Sequence, residues 1–448
     1  MSVAPGPVGG GFDFVSLEPL VFSQKNYEAQ ARAVVKIDGR LYNIKSFRVG
    51  KNAHGATNTA SLILPMAGNP DWTRQLFRGP ETGNQYAPVF AEIWAGFPEN
   101  PGPQPSTRGL SRRFSGVVDT YDPEDISHTE FRLRSVAAPL TTDRITTALQ
   151  NVTAVKFLQD VAKSYGIKVF IDPELTSPVT LASVYAQEFM VGLRNLIKWD
   201  VLLRASVWDD VDVWEDNGTI YYVHPWNVTK YVKTAKTLDL DYGTDVLSFL
   251  PSHAPQFNRN IRVQVHSYSA KTRVSVTTRV QSVIGGINVK QCIKTSVATP
   301  NWGTASGTST TYNSDGSVSH STWSSSGGSA SGSNAGINES GLELYDFYIP
   351  NLSATQCQAL SQAIWRQISQ HEYQGEIKLA VNPDTLPYLN IESRFNLNGY
   401  PMSFFNTEYW PRTLDETFDG PGEPGASEAG GWTVTMHAVN HTPPLGAV

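Results

Sequence analysis

Cysteine is nearly missing from this 448-residue chain, which holds only Cys292 and Cys357. Two thiols cannot build a disulfide framework or a cysteine-rich zinc site. Charge is also scarce: 17% of residues are Asp, Glu, Lys or Arg, against roughly 25% in an ordinary soluble domain. The balance is mildly acidic, with 35 basic and 41 acidic residues, which argues against a protein that coats nucleic acid. No run reaches the roughly 18 consecutive apolar residues of a membrane helix, so no membrane segment is expected. Met1 to Gly11 has neither a basic nor an apolar segment, so no signal peptide is expected either.

What is present points to β structure. Hydrophobic residues make up 40% of the chain, enough for sizeable cores, and 36 Gly, 28 Pro and 11% aromatics suit short strands and turns. At roughly 150 residues per domain the length allows about three domains. Residues 1–28 are rich in Gly and Pro and read as an extended arm. From 29 to 140, about six strands alternate with turn clusters. Ala33–Ile37 and Leu41–Val49 flank the turn pair Asp38-Gly39, and Thr59–Leu64, Pro88–Ala95, Arg113–Thr120 and Thr129–Val136 follow. This pattern predicts a small antiparallel barrel or sandwich.

The period changes between 141 and 235. Thr153 can cap a helix carrying Val155, Leu158, Val161 and Ala162, with Gly166 as its stop. Lys168–Ile171 reads as a short strand. Phe189, Leu193, Leu196 and Ile197 are spaced as on a second helix, and a hairpin turns at Asn217-Gly218. A mixed α/β middle domain is expected here. From 236 to 445 strands return and predict a second barrel, drawing on Val246–Leu250, Ile261–Val265 and Arg273–Thr277. A helix opened by the capping box Ser353–Gln356 follows, then an aromatic strand to Trp410, an acidic loop from Asp415 to Gly431, and a closing strand Trp432–Val439. Within 303–336, 19 of 34 residues are Ser or Gly. Composition alone reads as a linker, but β-friendly residues straddling Asp315-Gly316 predict an inserted two-stranded ribbon. The pair of strands after Tyr42 also echoes the pair after Phe404. The expected fold is therefore mainly β, two antiparallel barrels with a small α/β part between them.

Chemistry is hard to find. The acidic run Asp209, Asp210, Asp212, Glu215 and Asp216 is the best metal candidate. A calcium loop needs alternating oxygen ligands and a Gly at its sixth position. Counting from Asp210, the fifth position is Trp214 and the sixth Glu215, so a solvated hairpin edge is the expectation instead. His437 and His441 fall on a strand and its exit, not on a helix. No His-Glu-x-x-His, Gly-x-Ser-x-Gly or Walker loop occurs. Cys357 sits on an apolar helix face and reads as core, and Cys292 has no histidine near it in sequence. Glu92, Asp119 and Glu130 could meet as hydrolase carboxylates, but nothing sets them apart from ion-paired surface residues. Trp208, Trp214, Trp226, Trp323, Trp365, Trp410 and Trp432 could form sugar platforms, although cores and subunit interfaces use tryptophan more often. No catalytic, cofactor or metal residue is assigned, no cofactor is expected, and partner-binding residues stay unassigned.

The order of elements carries more than any single motif. Arg113-Phe-Ser-Gly-Val-Val-Asp119, Phe131–Val136 and a helix ending in Ser-Tyr-Gly-Ile-Lys-Val-Phe-Ile-Asp172 come first. Phe189–Ile197, Asn217–Pro225, the helix at 353–371, Asn398-Gly399-Tyr400 and the Gly-Trp-Thr-Val-Thr strand follow. This order resembles the tail hub, or baseplate hub, proteins of bacteriophages and spans most of residues 30–442. The resemblance implies a homotrimeric ring with two tube-like barrels per chain, adapting a hexameric tail tube to a threefold spike or tip protein. It also implies a channel that admits the tape-measure protein and then DNA, without specific DNA binding. The chain would then be a non-enzymatic virion component, made in the host cytoplasm. A receptor- or glycan-binding tail-tip protein is the alternative, and a wall-degrading hydrolase a more distant one.

Overall fold

The computed structural model describes residues 30–53, 56–65, 89–98, 104–123, 128–185, 187, 190–254, 261–269, 274–285, 288–298, 304–312, 318–326, 343–369, 373–420 and 431–440. The arm expected over 1–28 and His441 lie outside them. The fold is mainly β with a small α part.

The first part runs β1 (Arg32–Ile37), β2 (Arg40–Asn43), β3 (Ser46–Asn52), β4 (Thr59–Pro65), β5 (Phe90–Gly96), β6 (Ser111–Pro123) and β7 (His128–Ser135). Asp38 and Gly39 both take positive φ, 45° and 84°, as a tight hairpin of right-handed strands requires. Burial alternates along β3, placing Phe47, Val49 and Lys51 inward.

The middle part holds α1 (Ala138–Thr142), β8 (Arg144–Gln150), α2 (Ala154–Ser164), β9 (Lys168–Ile171), α3 (Leu181–Val184), β10 (Met190–Ile197), α4 (Lys198–Asp209), β11 (Asp212–Asp216), β12 (Thr219–Val223) and α5 (Val228–Tyr231). The Thr153 hydroxyl accepts from Lys156 N at 3.2 Å, and Gly166 follows the helix at φ 68°, as the sequence predicts. The helix expected over 189–197 is instead strand β10, antiparallel to β8. Val191 and Leu193 are buried while Met190, Gly192 and Arg194 face out, a period of two. Asn195, at φ 52°, lies where the register shifts, and that shift brings Leu196 and Ile197 into helix-like spacing. The helix comes next, as α4, and buries Trp199, Val201, Leu202 and Ala205. Helices and strands of this part share one core, from Leu140 through Phe157 and Trp199 to Tyr222.

The last part contains β13 (Thr237–Asp241), β14 (Val246–His253), β15 (Ile261–Ser269), β16 (Val274–Gly285), β17 (Asn288–Ala298), β18 (Thr304–Tyr312), β19 (Val318–Ser326), β20 (Glu343–Tyr348), α6 (Ala354–Ser369), β21 (Tyr373–Ala380), β22 (Arg394–Asn398), β23 (Glu408–Asp419) and β24 (Gly431–Val439). Strands of the first and last parts belong to one 13-stranded sheet, in the order β14-β21-β24-β23-β3-β4-β7-β6-β5-β1-β2, with β13 and β22 branching from β23. The two strand pairs that echo each other in sequence meet here, through β3 against β23. Phe47, Phe418 and Trp432 pack across that seam, with Phe47 and Phe418 stacked at 5.3 Å. A single apolar core runs beneath it.

Two features differ from expectation. β23 continues through Asp415 to Asp419, where a loop was expected, because its pairing with β3 and β24 extends that far. β15 and β16 leave the main sheet and form a second sheet of six strands, β19-β18-β17-β16-β15-β20. α6 packs on β15 and β16 through Cys357, Leu360, Ile364 and Trp365. Its capping box forms: Ser353 N donates to Gln356 Oε1 at 3.0 Å, and Gln356 N to Ser353 Oγ at 3.2 Å. β18 and β19 pair antiparallel from Thr304↔Ser326 to Tyr312↔Val318.

Candidate functional site

The acidic run expected on a solvated edge is largely buried. Asp209, Glu215 and Asp216 are inside the molecule, and Asp210 and Asp212 are bound into ion pairs with Arg366 and Arg412. The sequence pattern shows the charges but not the surface that covers them. β11 lies against β3, and its Asp212 and Trp214 line a small cavity with Ile391, Glu392 and Arg394. Among the described residues no cluster of three or more His, Cys, Asp or Glu side chains could hold a metal.

Instead the run forms a joint between the three parts of the chain. Lys51, at an inward position of β3, places its Nζ 3.0 Å from Asp216 Oδ1. Asn58 Nδ2 donates to the Glu215 carbonyl at 2.6 Å, and its own Oδ1 accepts from Asn52 N at 2.9 Å. Glu215 Oε1 accepts from Gly218 N at 2.8 Å. Burial, reinforced by the neighbouring Asp216, pushes the Glu215 carboxyl up to about 7. On β6, Arg113 clamps Glu416 of β23 with contacts of 3.0 Å and 2.6 Å and also donates to the Leu389 carbonyl. Arg394 donates to the carbonyls of Glu392, Ser393 and Pro225 and lies 3.6 Å from the Trp410 ring centroid. Burial lowers that guanidinium to about 10. A small cavity of about 20 Å³ sits at the meeting point, lined by Trp214, Glu392, Arg394 and Arg412 among others.

A second polar cluster fastens the six-stranded sheet to the middle part. Arg366 of α6 pairs with Asp210 and stacks over Trp226 at 4.6 Å. Next to it, Tyr222 OH donates to Asp209 Oδ2 at 2.7 Å and Val179 N to Asp209 Oδ1 at 2.6 Å. Burial outweighs both bonds and lifts the Asp209 carboxyl to about 6.

The remaining sequence candidates do not converge. Glu92 pairs with Arg112 and Lys36, Asp119 with Arg134, and Glu130 with Arg132, in separate surface ion pairs. His437 faces Glu376 at 3.8 Å. Cys357 is fully buried, and burial pushes its thiol up to about 12, so it is a poor nucleophile. Trp214, Trp365, Trp410 and Trp432 are buried, Trp208 packs against the middle core, and Trp226 stacks on His224. The side chains of Cys292 and Trp323 lie outside the described residues.

The surface adds apolar groups of a kind that fit protein contacts. Leu247 and Leu250 project from β14, which ends the main sheet on the side opposite β2, at 45% and 64% exposure. Met402 and Phe404 are exposed, and Phe404 rings with Phe405, Tyr373 and His253 next to that edge. Sequence reasoning missed these residues, since a leucine on a strand reads as core until its sheet position is known.

No family model and no curated protein matches the chain. Solved structures do. A tail protein from Neisseria meningitidis is 8% identical over 92% of this chain and 97% of that one, with a TM-score of 0.54. The 43 kDa tail protein of prophage MuSo2 from Shewanella oneidensis is 14% identical over 92% and 96%, TM-score 0.49. A prophage tail protein from Listeria monocytogenes is 10% identical over 90% and 94%, TM-score 0.40. At such identities the likeness is one of fold, and the Neisseria protein carries it. Over 92% of its length, this chain shares the fold of that Neisseria tail protein.

Proposed function

We propose that the chain is a structural hub of a phage tail, a virion component that closes into a trimeric ring and joins a hexameric tube to a threefold spike or tip protein. The observation that carries this reading is the single 13-stranded sheet, which fuses the first and last parts of the chain through β3 and β23. Two related β units welded in this way give six units in three chains, the number a sixfold tube requires. The division into 1–28, 29–140, 141–235 and 236–445 serves the same reading: an arm, two tube-like units, and a middle domain turned toward the spike.

The physical properties suit a load-bearing part. Buried pairs such as Arg113–Glu416 and Lys51–Asp216 cost desolvation, but they fix one geometry between segments far apart in sequence. Low, slightly acidic charge lets a polyanion pass without phosphate contacts, as a conduit for DNA and the tape-measure protein needs. Its action is to hold and align, with no catalytic step of its own.

Negative-stain electron microscopy of the purified chain tests this reading. Closed threefold rings with a central opening are expected, and discrete single chains that adsorb to host cells would overturn it. The receptor-binding alternative draws on Tyr268, Leu344 and Tyr348, which are 53%, 50% and 76% exposed on the six-stranded sheet. Deleting 303–336 separates the two: a hub still forms rings, whereas an adhesin loses cell binding.

A further inference from the structure

The joint holds more buried carboxyls than it has cations to neutralise them. Lys51 is committed to Asp216, and Arg113 to Glu416. Arg394 points its terminal nitrogens at three backbone carbonyls. That leaves Glu215 of β11 and Glu392, two residues before β22, at 1% and 2% exposure. Neither forms an ion pair among the described residues, and both Glu392 oxygens lack a hydrogen-bond partner there. They come from segments far apart in the chain, yet both feel the same Lys51–Asp216 pair. A buried carboxylate with no cation of its own is costly, and a neutral acid in the same place costs far less.

We propose that the joint is a proton-operated lock: Glu215 and Glu392 sit inside it as neutral carboxylic acids, and their ionisation loosens β11 from the main sheet. The charged groups that face them are largely engaged elsewhere, Arg412 with Asp212 among those lining the cavity beside Glu392. From β3, Lys51 is shared with Asp216, and Asp216 itself repels a second negative charge. From β6 and β23, Arg113 and Glu416 cancel each other. From β12, Tyr221 is held neutral by burial and by the charge of Asp216. The Ser135 hydroxyl faces Glu215, the Thr234 hydroxyl lies near Glu392 without completing a hydrogen bond, and Arg394 adds a positive field at Glu392. Asn58, which donates to the Glu215 backbone carbonyl at 2.6 Å, approaches Oε2 only at 3.4 Å, so its amide offers an ionised Glu215 a long, weak bond and no charge.

The consequence is local. Losing the protons places negative charge next to Asp216 where β11 meets β3, while α6 and the six-stranded sheet are held elsewhere by Arg366 and an apolar core. The inference does not depend on the hub reading.

Hydrogen–deuterium exchange on the full chain tests it, with rates corrected for the intrinsic effect of pH. Peptides covering 46–53, 210–218 and 390–396 are expected to open at least tenfold more readily for each pH unit from about 5 to about 7, about tenfold being the slope for release of one proton and about a hundredfold the slope for release of both. Peptides covering 261–269 should keep their protection. Glu215→Gln with Glu392→Gln should remove the pH dependence. Uniform protection of the joint in the wild-type chain across this range would overturn the proposal without any variant. So would a double variant that keeps the wild-type pH response.

Discussion

Removing one partner of the Arg113–Glu416 pair strands the other charge in the interior, at an expected cost of about 3 to 5 kcal/mol. Arg113→Leu should show that loss in denaturant unfolding, and Arg113→Leu with Glu416→Leu should recover most of it. Asp209 supplies a pH dependence of known sign. Its folded value, about 6, lies above the ordinary 3.8, so its stabilisation is complete below about pH 4 and is lost as pH rises to about 6. Asp209→Asn keeps an acceptor for Tyr222 and should flatten the melting-temperature profile over that window, removing a total change of about 3 kcal/mol. At this scale the sequence was legible in its turns and caps. Asp38-Gly39, Thr153, Ser353 and Gln356 act through neighbours a few residues away. Burial of Glu215 and Asp216 was not legible, because the covering residues lie far along the chain. One local signal existed: Lys51 falls on the inward phase of Phe47-x-Val49-x-Lys51, where only a partnered charge can sit.

Elements repeat that contrast. α2 could be read because cap, stripe and stop agree, and Thr153→Ala is expected to cost about 1 kcal/mol in thermal unfolding. β10 could not, because a register shift at Asn195 gives a strand the spacing of a helix. The extent of β23 past Trp410 was hidden for a different reason: Asp415, Glu416 and Asp419 look like loop residues until β3 supplies the other side of the sheet. The exposed edge of β14 yields a prediction of the same kind. Leu247→Lys with Leu250→Lys places charge on an outward face, so the melting temperature should hold while ring formation is lost, as light scattering of the variant can show.

For the whole molecule, strand content and the order of elements were enough to anticipate the fold shared with the Neisseria tail protein. The union of both β parts in one sheet was not anticipated, since pairing between β3 and β23 joins residues more than three hundred positions apart, a contact no local pattern encodes. That union makes assembly the central issue. The most direct measurement is the solution mass of the purified chain by light scattering. Three chains of 49.1 kDa, about 147 kDa, are the predicted result. A mass of one chain at all concentrations, unchanged when the tail tube protein is added, would contradict the account.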